Sequence, residues 1–304
     1  MNILVSTDAR YRQITETMLF SLAENTTRSL HVWCLHSRLT EKEISVFQSN
    51  LKNKCGILDV HFLDMSWMKD IETVLPLYIK HISIETYYRL FAHIVLPKDI
   101  KKALWLDSDL IVKGAIDDFY DQDIECVSLV ALPNMGEAIT GGNAERLGLP
   151  RDYVYFNAGV LLLNLDFLRH SSPKEQLVAF CAQFGSSFKQ QDQDALNLLY
   201  YKTARVVNDQ RFNCMVNAPH FSSPSIAEKA SIIHYAGWQK PWKIKWQNEY
   251  SRYWWNVKHK EGFSRIDYLI LTIGNLWRFL RLNTLEKWLL SPYYWLQARI
   301  NPSR

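Results

Sequence analysis

The chain has 304 residues, 48% of them apolar and 22% charged, with a formal net charge of +4. That balance belongs to a globular protein with a full core and excludes a disordered chain. Five scattered cysteines (Cys34, Cys55, Cys126, Cys181 and Cys214) with no C-x-x-C pair exclude a disulfide framework and a zinc knuckle, and they suit a reducing cytosol.

Ile3-Leu4-Val5 reads as a short buried strand ending in Ser6-Thr7-Asp8, followed by a helix from Tyr11 to Glu24. His31 to Leu35 reads as a second strand. Thr40 opens another helix, with Glu43 at the capping-box spacing. Ile57 to Leu63 alternates like a third strand. Strands alternating with helices predict an α/β fold, a mostly parallel sheet covered by helices on both faces. Ligands of such sheets bind at the carboxyl ends of strands, where the strand order switches. Residues 81–90 lead into a helix that stops before Pro97. Arg89 follows an aromatic pair and precedes Leu90-Phe91, a setting that would bring its guanidinium to the sheet end; by itself it reads as an ordinary helix-surface arginine.

In Lys102 to Val112 an apolar run breaks at Asp107-Ser108-Asp109 and then resumes. Extended chain alternates faces, so Asp107 and Asp109 point to one side of a strand end. Two carboxylates that close repel each other unless a cation sits between them, and hard oxygen ligands suit Mg²⁺ or Mn²⁺. Taken alone, such a pair is an ordinary acidic turn; its company decides. A strand over 126–132 leads into a Gly- and Asn-rich loop, Asn134 to Asn143. Asn157-Ala158-Gly159 then opens a long apolar run, where a small pair would let a ligand approach the backbone. Gln190 to Asn197 starts a helix with Gln191 or Asp192 near its N-cap. After Arg211-Phe212-Asn213, a last strand ends at His234, with Gly237 and Lys240-Pro241-Trp242 close behind. Neither G-x-G-x-x-G nor a P-loop is present, so bound phosphates must be held by a metal and single basic residues.

Taken in order over residues 1–250, these stretches resemble glycosyltransferase family 8, the retaining sugar-nucleotide transferases, and most of all the bacterial lipooligosaccharide α-galactosyltransferases. The resemblance implies a Rossmann-like nucleotide-binding sheet of the GT-A type. It implies Asp107, Asp109 and His234 as ligands of Mn²⁺, with Mg²⁺ as a substitute. Ser6, Thr7 and Asp8 match the uracil and ribose contacts, and Ser108 lies between the metal acids. Arg89, Asn157 and Asp192 match donor-sugar contacts, and Gly237 and Lys240 match diphosphate contacts. Gln193 matches the residue beneath the anomeric carbon. The catalytic set so implied is Gln193, Asp192 and Lys240, acting on a UDP-hexose (UDP-galactose or UDP-glucose) with an oligosaccharide or glycolipid acceptor. Where the family often has an Asp, this chain has Pro133-Asn134. The reaction expected is front-face transfer that forms an α-linkage. Double displacement through Asp192 is the alternative route, and a glycogenin-like self-glucosylating primer or a non-catalytic sugar-nucleotide binder are the alternative functions.

Residues 251–304 differ in kind, with nine Lys/Arg against three Asp/Glu and aromatics from Tyr253, Trp254 and Trp255 to Trp277, Trp288, Tyr293, Tyr294 and Trp295. No apolar run there or elsewhere reaches the ~20 residues of a spanning helix. The N-terminus has no signal-peptide pattern, and no nucleic-acid-binding motif occurs. The expectation is a catalytic domain over 1–250 and a helical tail over 251–304. The tail would lie on an anionic membrane, placing a cytoplasmic protein peripherally on the inner face of the plasma membrane; the alternative is a helical cap packed on the main body or on another subunit.

Overall fold

The computed structural model describes residues 1–57, 59–78, 83–136, 142–217, 224–243 and 248–262. Its strands are β1 (Asn2–Ser6), β2 (His31–His36), β3 (Asp59–Asp64), β4 (Lys102–Leu106), β5 (Leu110–Val112), β6 (Leu129–Pro133), β7 (Phe156–Asn164), β8 (Ala204–Val206), β9 (Cys214–Met215) and β10 (Ile232–His234). The helices are α1 (Arg12–Glu24), α2 (Glu41–Cys55), α3 (Tyr88–Val95), α4 (Asp117–Tyr120), α5 (Asn143–Arg146), α6 (Leu165–Ser171), α7 (Lys174–Phe184), α8 (Asp192–Tyr200), α9 (Pro224–Lys229) and α10 (Ser251–Lys260).

Seven strands form one sheet in the order β3-β2-β1-β4-β7-β6-β8. Strands β3, β2, β1 and β4 run parallel, as the alternation of strands and helices predicts. Strand β7 runs antiparallel to both β4 and β6. Its direction was not readable: β7 is buried on both faces, and a continuous apolar run carries no directional signal. The chain moves outward from β1 to β2 and β3, then crosses to β4 on the other side of β1. The resulting crevice lies beyond the carboxyl ends of β1 and β4, where Asp8 and Asp107 sit. A small sheet, β5-β10-β9, sets Leu110 opposite His234 and so brings the last strand to the acidic turn.

The period-two pattern divides the core. Leu4, Trp33, Leu35, Trp105, Leu161 and Leu163 face α3, α6, α7 and α8. Ile3, Val5, Val32, Cys34, Leu104 and Leu162 face α1 and α2. Each fully buried aliphatic side chain contributes roughly 1.5–3 kcal/mol relative to exposure, so the sheet is the rigid element that positions the site. Helix α2 carries the expected capping box between Thr40 and Glu43 and ends at Gly56, whose φ of 69° suits glycine.

Met1–Trp238 form one compact unit and Gln239–Arg304 a second. Within the second, Trp242 and Trp254 have ring centroids 5.6 Å apart, and Trp254 packs edge-on against Trp255 at 4.8 Å. Among the described residues no helix is long and apolar enough to cross a membrane, and all five cysteines are free thiols. The aromatic and basic residues of the tail from 263 onward lie outside the described residues.

Candidate functional site

Beyond the carboxyl end of β4, Asp107, Asp109 and His234 each offer one ligand atom, and these atoms all lie within 4.8 Å of one another. His234 ends β10 beside the start of β5, and its Nε2 is 3.3 Å from Asp109 Oδ1. Asp107 is oriented by three groups. Its main-chain N–H donates to the Gly159 carbonyl at 2.9 Å, and its Oδ1 receives Trp105 Nε1–H at 2.9 Å and Arg89 Nη2 at 2.9 Å. Its Oδ2 faces His234 across Gly159. A Cβ on Gly159 would sit 2.4 Å from His234 Cε1 and 3.0 Å from Asp107 Oδ2. Glycine is therefore required at this position by the protein's own donor set, whereas the sequence suggests a ligand's approach. Two carboxylates and an imidazole, clustered over a residue with no side chain, fit a divalent metal of the Mn²⁺ or Mg²⁺ type.

Arg89 is no surface residue. It is 6% exposed, lies over the Trp105 ring at 4.7 Å, donates to the Ala158 and Thr86 carbonyls, and bridges Asp107 to Asp192 (Nε to Oδ2, 3.0 Å). Burial works against its charge, but Asp107 and Asp192 outweigh that and raise its pKa. Thr86 Oγ1–H donates to Asp192 Oδ1 at 2.5 Å, while Oδ2 is buried, faces Arg89 as an ion pair and accepts no hydrogen bond among the described residues. Burial pushes the Asp192 carboxyl up to about 6, against the pull of Arg89 and Thr86. Asp192 is the first residue of α8, and the N-cap Gln191 holds a left-handed φ of 54° without a side-chain cap. Strain of that kind costs on the order of 1–3 kcal/mol and collects at functional sites.

Gln193 Oε1 accepts from Asn157 Nδ2 at 3.0 Å and from the Ala158 N–H at 3.1 Å. Its Nε2 donates to Tyr155 Oη at 3.4 Å, and Tyr155 donates to Asp194 at 2.6 Å. Arg146, just after the loop that the sequence marks as Gly- and Asn-rich, holds both oxygens of Asp194 at 2.7 and 2.8 Å. Residues 137–141 of that loop lie outside the described residues.

On the β1 side, Ser108 Oγ donates to the Ser6 carbonyl at 3.1 Å and lies 2.8 Å from Thr15 Oγ1, tying the acidic turn to β1 and α1. Thr7 is buried and accepts from Thr15. Asp8 caps the start of the next turn through Tyr11 N–H and pairs with Arg10 at 2.8 Å. Asp8 and Arg10 line a cleft of about 820 Å³ with Arg38, Glu72, Leu77 and Glu85. Gly237 has a φ of 80°, a backbone conformation that suits glycine, and a Cβ added there would meet no protein atom within 4 Å. Lys240 belongs to the second compact unit, where its Nζ lies 6.0 Å from the Trp242 ring centroid.

The site thus unites Asp107, Asp109, His234, Arg89, Asn157, Asp192 and Gln193, all of them readable as candidates. Sequence reasoning gave no role to Thr86, which it met only as part of the stretch before Arg89, and it missed Trp105 and the cleft residues Arg10, Arg38 and Glu85. Trp105 had a signal, because two residues before Asp107 on extended chain is the same face.

The model of glycosyl transferase family 8 matches residues 2–245. The galactosyltransferase LgtC, solved with donor and acceptor sugar analogs, superposes with a TM-score of 0.74 at 24% identity, over 87% of this chain and 96% of that one. That likeness defines the fold, a GT-A glycosyltransferase fold. The chain belongs to glycosyl transferase family 8. It is 23% identical to the lipopolysaccharide 1,2-glucosyltransferase of Escherichia coli, over 88% of this chain and 80% of that protein. It is 28% identical to glycosyltransferase GlyB of Streptococcus pneumoniae, covering 58% of this chain but only 43% of GlyB.

Proposed function

We propose that the protein is a retaining hexosyltransferase that moves galactose or glucose from a UDP-sugar to a bacterial surface glycan, forming an α-linkage. The observation that carries this reading is the cluster of Asp107, Asp109 and His234 abutting Arg89, Asn157, Asp192 and Gln193 beyond the carboxyl end of β4. Asp107, Asp109 and His234 would hold Mn²⁺, or Mg²⁺ in its place. A metal there supplies Lewis-acid stabilisation of the charge on the departing diphosphate. The cleft beside Asp8 lies on the β1 side and suits the uridine. Arg89, Asn157 and Asp192 lie on the β7 side and suit the hexose. Gly237 and Lys240 are assigned to the diphosphate by family resemblance. The glycan acceptor follows the names of the Escherichia coli relative and of LgtC.

Retention requires either two inversions through a covalent intermediate or attack on the face from which the leaving group departs. A carboxamide is a poor nucleophile, and the Gln193 oxygen already accepts two hydrogen bonds. Asp192 Oδ1 accepts from Thr86, and Oδ2 is neutralised by the ion pair with Arg89. Both arrangements favour front-face attack: the acceptor oxygen bonds to the anomeric carbon as the carbon–phosphate-oxygen bond breaks, and the departing phosphate oxygen takes the acceptor's proton. Asn157 and Arg89 then act by orientation and fixed charge. The proposal extends to the boundaries: a catalytic region over 1–250, and a basic tail over 251–304 that places the protein on the cytoplasmic face of an anionic membrane.

The test is transfer from a panel of sugar nucleotides to a panel of oligosaccharide and glycolipid acceptors, with the product's anomeric configuration read by proton NMR. An α-linked hexose derived from UDP-galactose or UDP-glucose is expected. A β-linked product, or transfer only from a donor without UDP, contradicts the reading.

A further inference from the structure

His234 has two ring nitrogens, and a metal binds only one that carries no proton. Nε2 lies 3.3 Å from Asp109 Oδ1, and Nδ1 lies 2.8 Å from Asn213 Oδ1. The proton's place follows from a donor that cannot be reversed. The backbone N–H of Gly159 donates to Asn157 Oδ1 at 2.9 Å. This contact fixes the Asn157 amide, with its nitrogen toward Gln193. Asn213 Nδ2 is 2.9 Å from that same Asn157 oxygen and must donate to it. Asn213 therefore turns its own oxygen to His234, and an acceptor at that place demands Nδ1–H. The lone pair of Nε2 is left facing the acids.

A second backbone group sets the same polarity independently. The Ala158 N–H donates to Gln193 Oε1, which also accepts Asn157 Nδ2–H. An Asn157 flipped the other way would oppose oxygen to oxygen at Gln193 and N–H to N–H at Gly159. Asn213, Asn157 and His234 are 2%, 7% and 2% exposed, so water is poorly placed to repair a flipped amide.

We propose that Asn213 is a positioning residue: it holds His234 in the Nδ1–H tautomer, with Nε2 presented to Asp107 and Asp109, and it takes its own orientation from the Gly159 backbone through Asn157. The proposal rests on the metal site assigned above. Partners of this kind typically govern metal affinity by about 10–100-fold.

The experiment has two arms on the full chain. In the metal-free protein, imidazole ¹⁵N NMR, with the His234 signals assigned by their loss in His234→Gln, should show a proton on Nδ1, whether or not Nε2 also carries one. A His234 ring with Nδ1 unprotonated overturns the proposal, and this arm needs no altered Asn213. In the second arm, Mn²⁺ binding is measured calorimetrically for Asn213→Ala, His234→Ala and the double variant. Asn213→Ala should weaken Mn²⁺ about 10–100-fold and should cost almost nothing further once His234 is gone. A loss that persists in the His234→Ala background shows that Asn213 acts elsewhere and overturns the proposal. Wild-type affinity in Asn213→Ala, with loss in His234→Ala, refutes the positioning role alone. Wild-type affinity in His234→Ala refutes the metal site itself, and the proposal falls with it.

Discussion

Gly159 shows how a single residue sets the chemistry. It lies inside β7, where a side chain at that position would occupy the space between His234, Asn157 and Asp107. Its carbonyl receives Asp107 N–H, and its own N–H fixes Asn157. Gly159→Ala forces His234 or Asp107 aside. Overpacking of this kind costs typically 1–3 kcal/mol, but the displaced ligands should lower Mn²⁺ affinity by more than tenfold. Chemical denaturation and calorimetric Mn²⁺ titration on the same samples would separate the two effects; unchanged Mn²⁺ binding would mean that the donor set does not depend on this close approach. Arg89 makes the complementary point. Its burial was only half legible: the aromatic and apolar neighbours allow an inward guanidinium, but its partners Asp107 and Asp192 are 18 and 103 residues away, so an ordinary surface arginine fits the local pattern as well. The paired acids were legible as a break between two apolar runs, but not for the expected reason. Strand β4 ends at Leu106 and β5 begins at Leu110, so the tight turn between them, rather than the alternation of an extended strand, brings Asp107 and Asp109 together. The orientation of Gln193 was not legible, since backbone donors at Ala158 and side-chain donors at Asn157 decide it.

At the scale of elements, the first four parallel strands and the capping box of α2 were readable from local pattern. The reversed β7 and the small sheet carrying His234 were not, because partner choice between short buried strands is a long-range property. Helix α3, which delivers Arg89 at its start, also carries His93, and His93 Nε2 contacts the Ser172 carbonyl at 2.8 Å. Burial pushes the His93 imidazole down to about 4, against the opposing pull of that carbonyl. The sign is set by linkage: the unfolded chain takes up a proton near pH 6.5 and the folded chain only near 4, so stability is complete above 6.5 and is lost as pH falls through that window. A shift of that size corresponds to about 3 kcal/mol. His93→Gln keeps a donor for Ser172 and removes the titration. Between pH 7 and 4, wild type should lose about 3 kcal/mol more than the variant in urea denaturation, taken as a difference because the acids of the site titrate as well. A constant difference would show that His93 does not carry this dependence.

At the scale of the molecule, the charge is divided: residues 251–304 carry nine basic against three acidic groups, and residues 1–250 carry 26 against 28. Each basic residue near an anionic bilayer contributes ~1 kcal/mol, and buried Trp and Leu add a part that salt does not screen. The intact protein should co-sediment with phosphatidylglycerol vesicles, less at high salt, and poorly with neutral ones. Indifference of the full chain to anionic vesicles would leave the tail without a membrane role. The central claim, however, is that one crevice at the switch point between β1 and β4 binds a metal and a UDP-sugar together. The most direct measurement is UDP release from UDP-galactose and UDP-glucose with Mn²⁺, with excess EDTA, and with Asp109→Asn in the presence of Mn²⁺. The account predicts release with Mn²⁺, none with EDTA, and a loss of at least about a hundredfold in the variant, of the size found when an electrostatic stabiliser is removed, with the variant's circular dichroism unchanged. Full release in EDTA, or a folded Asp109→Asn enzyme that works as well as wild type, would contradict it.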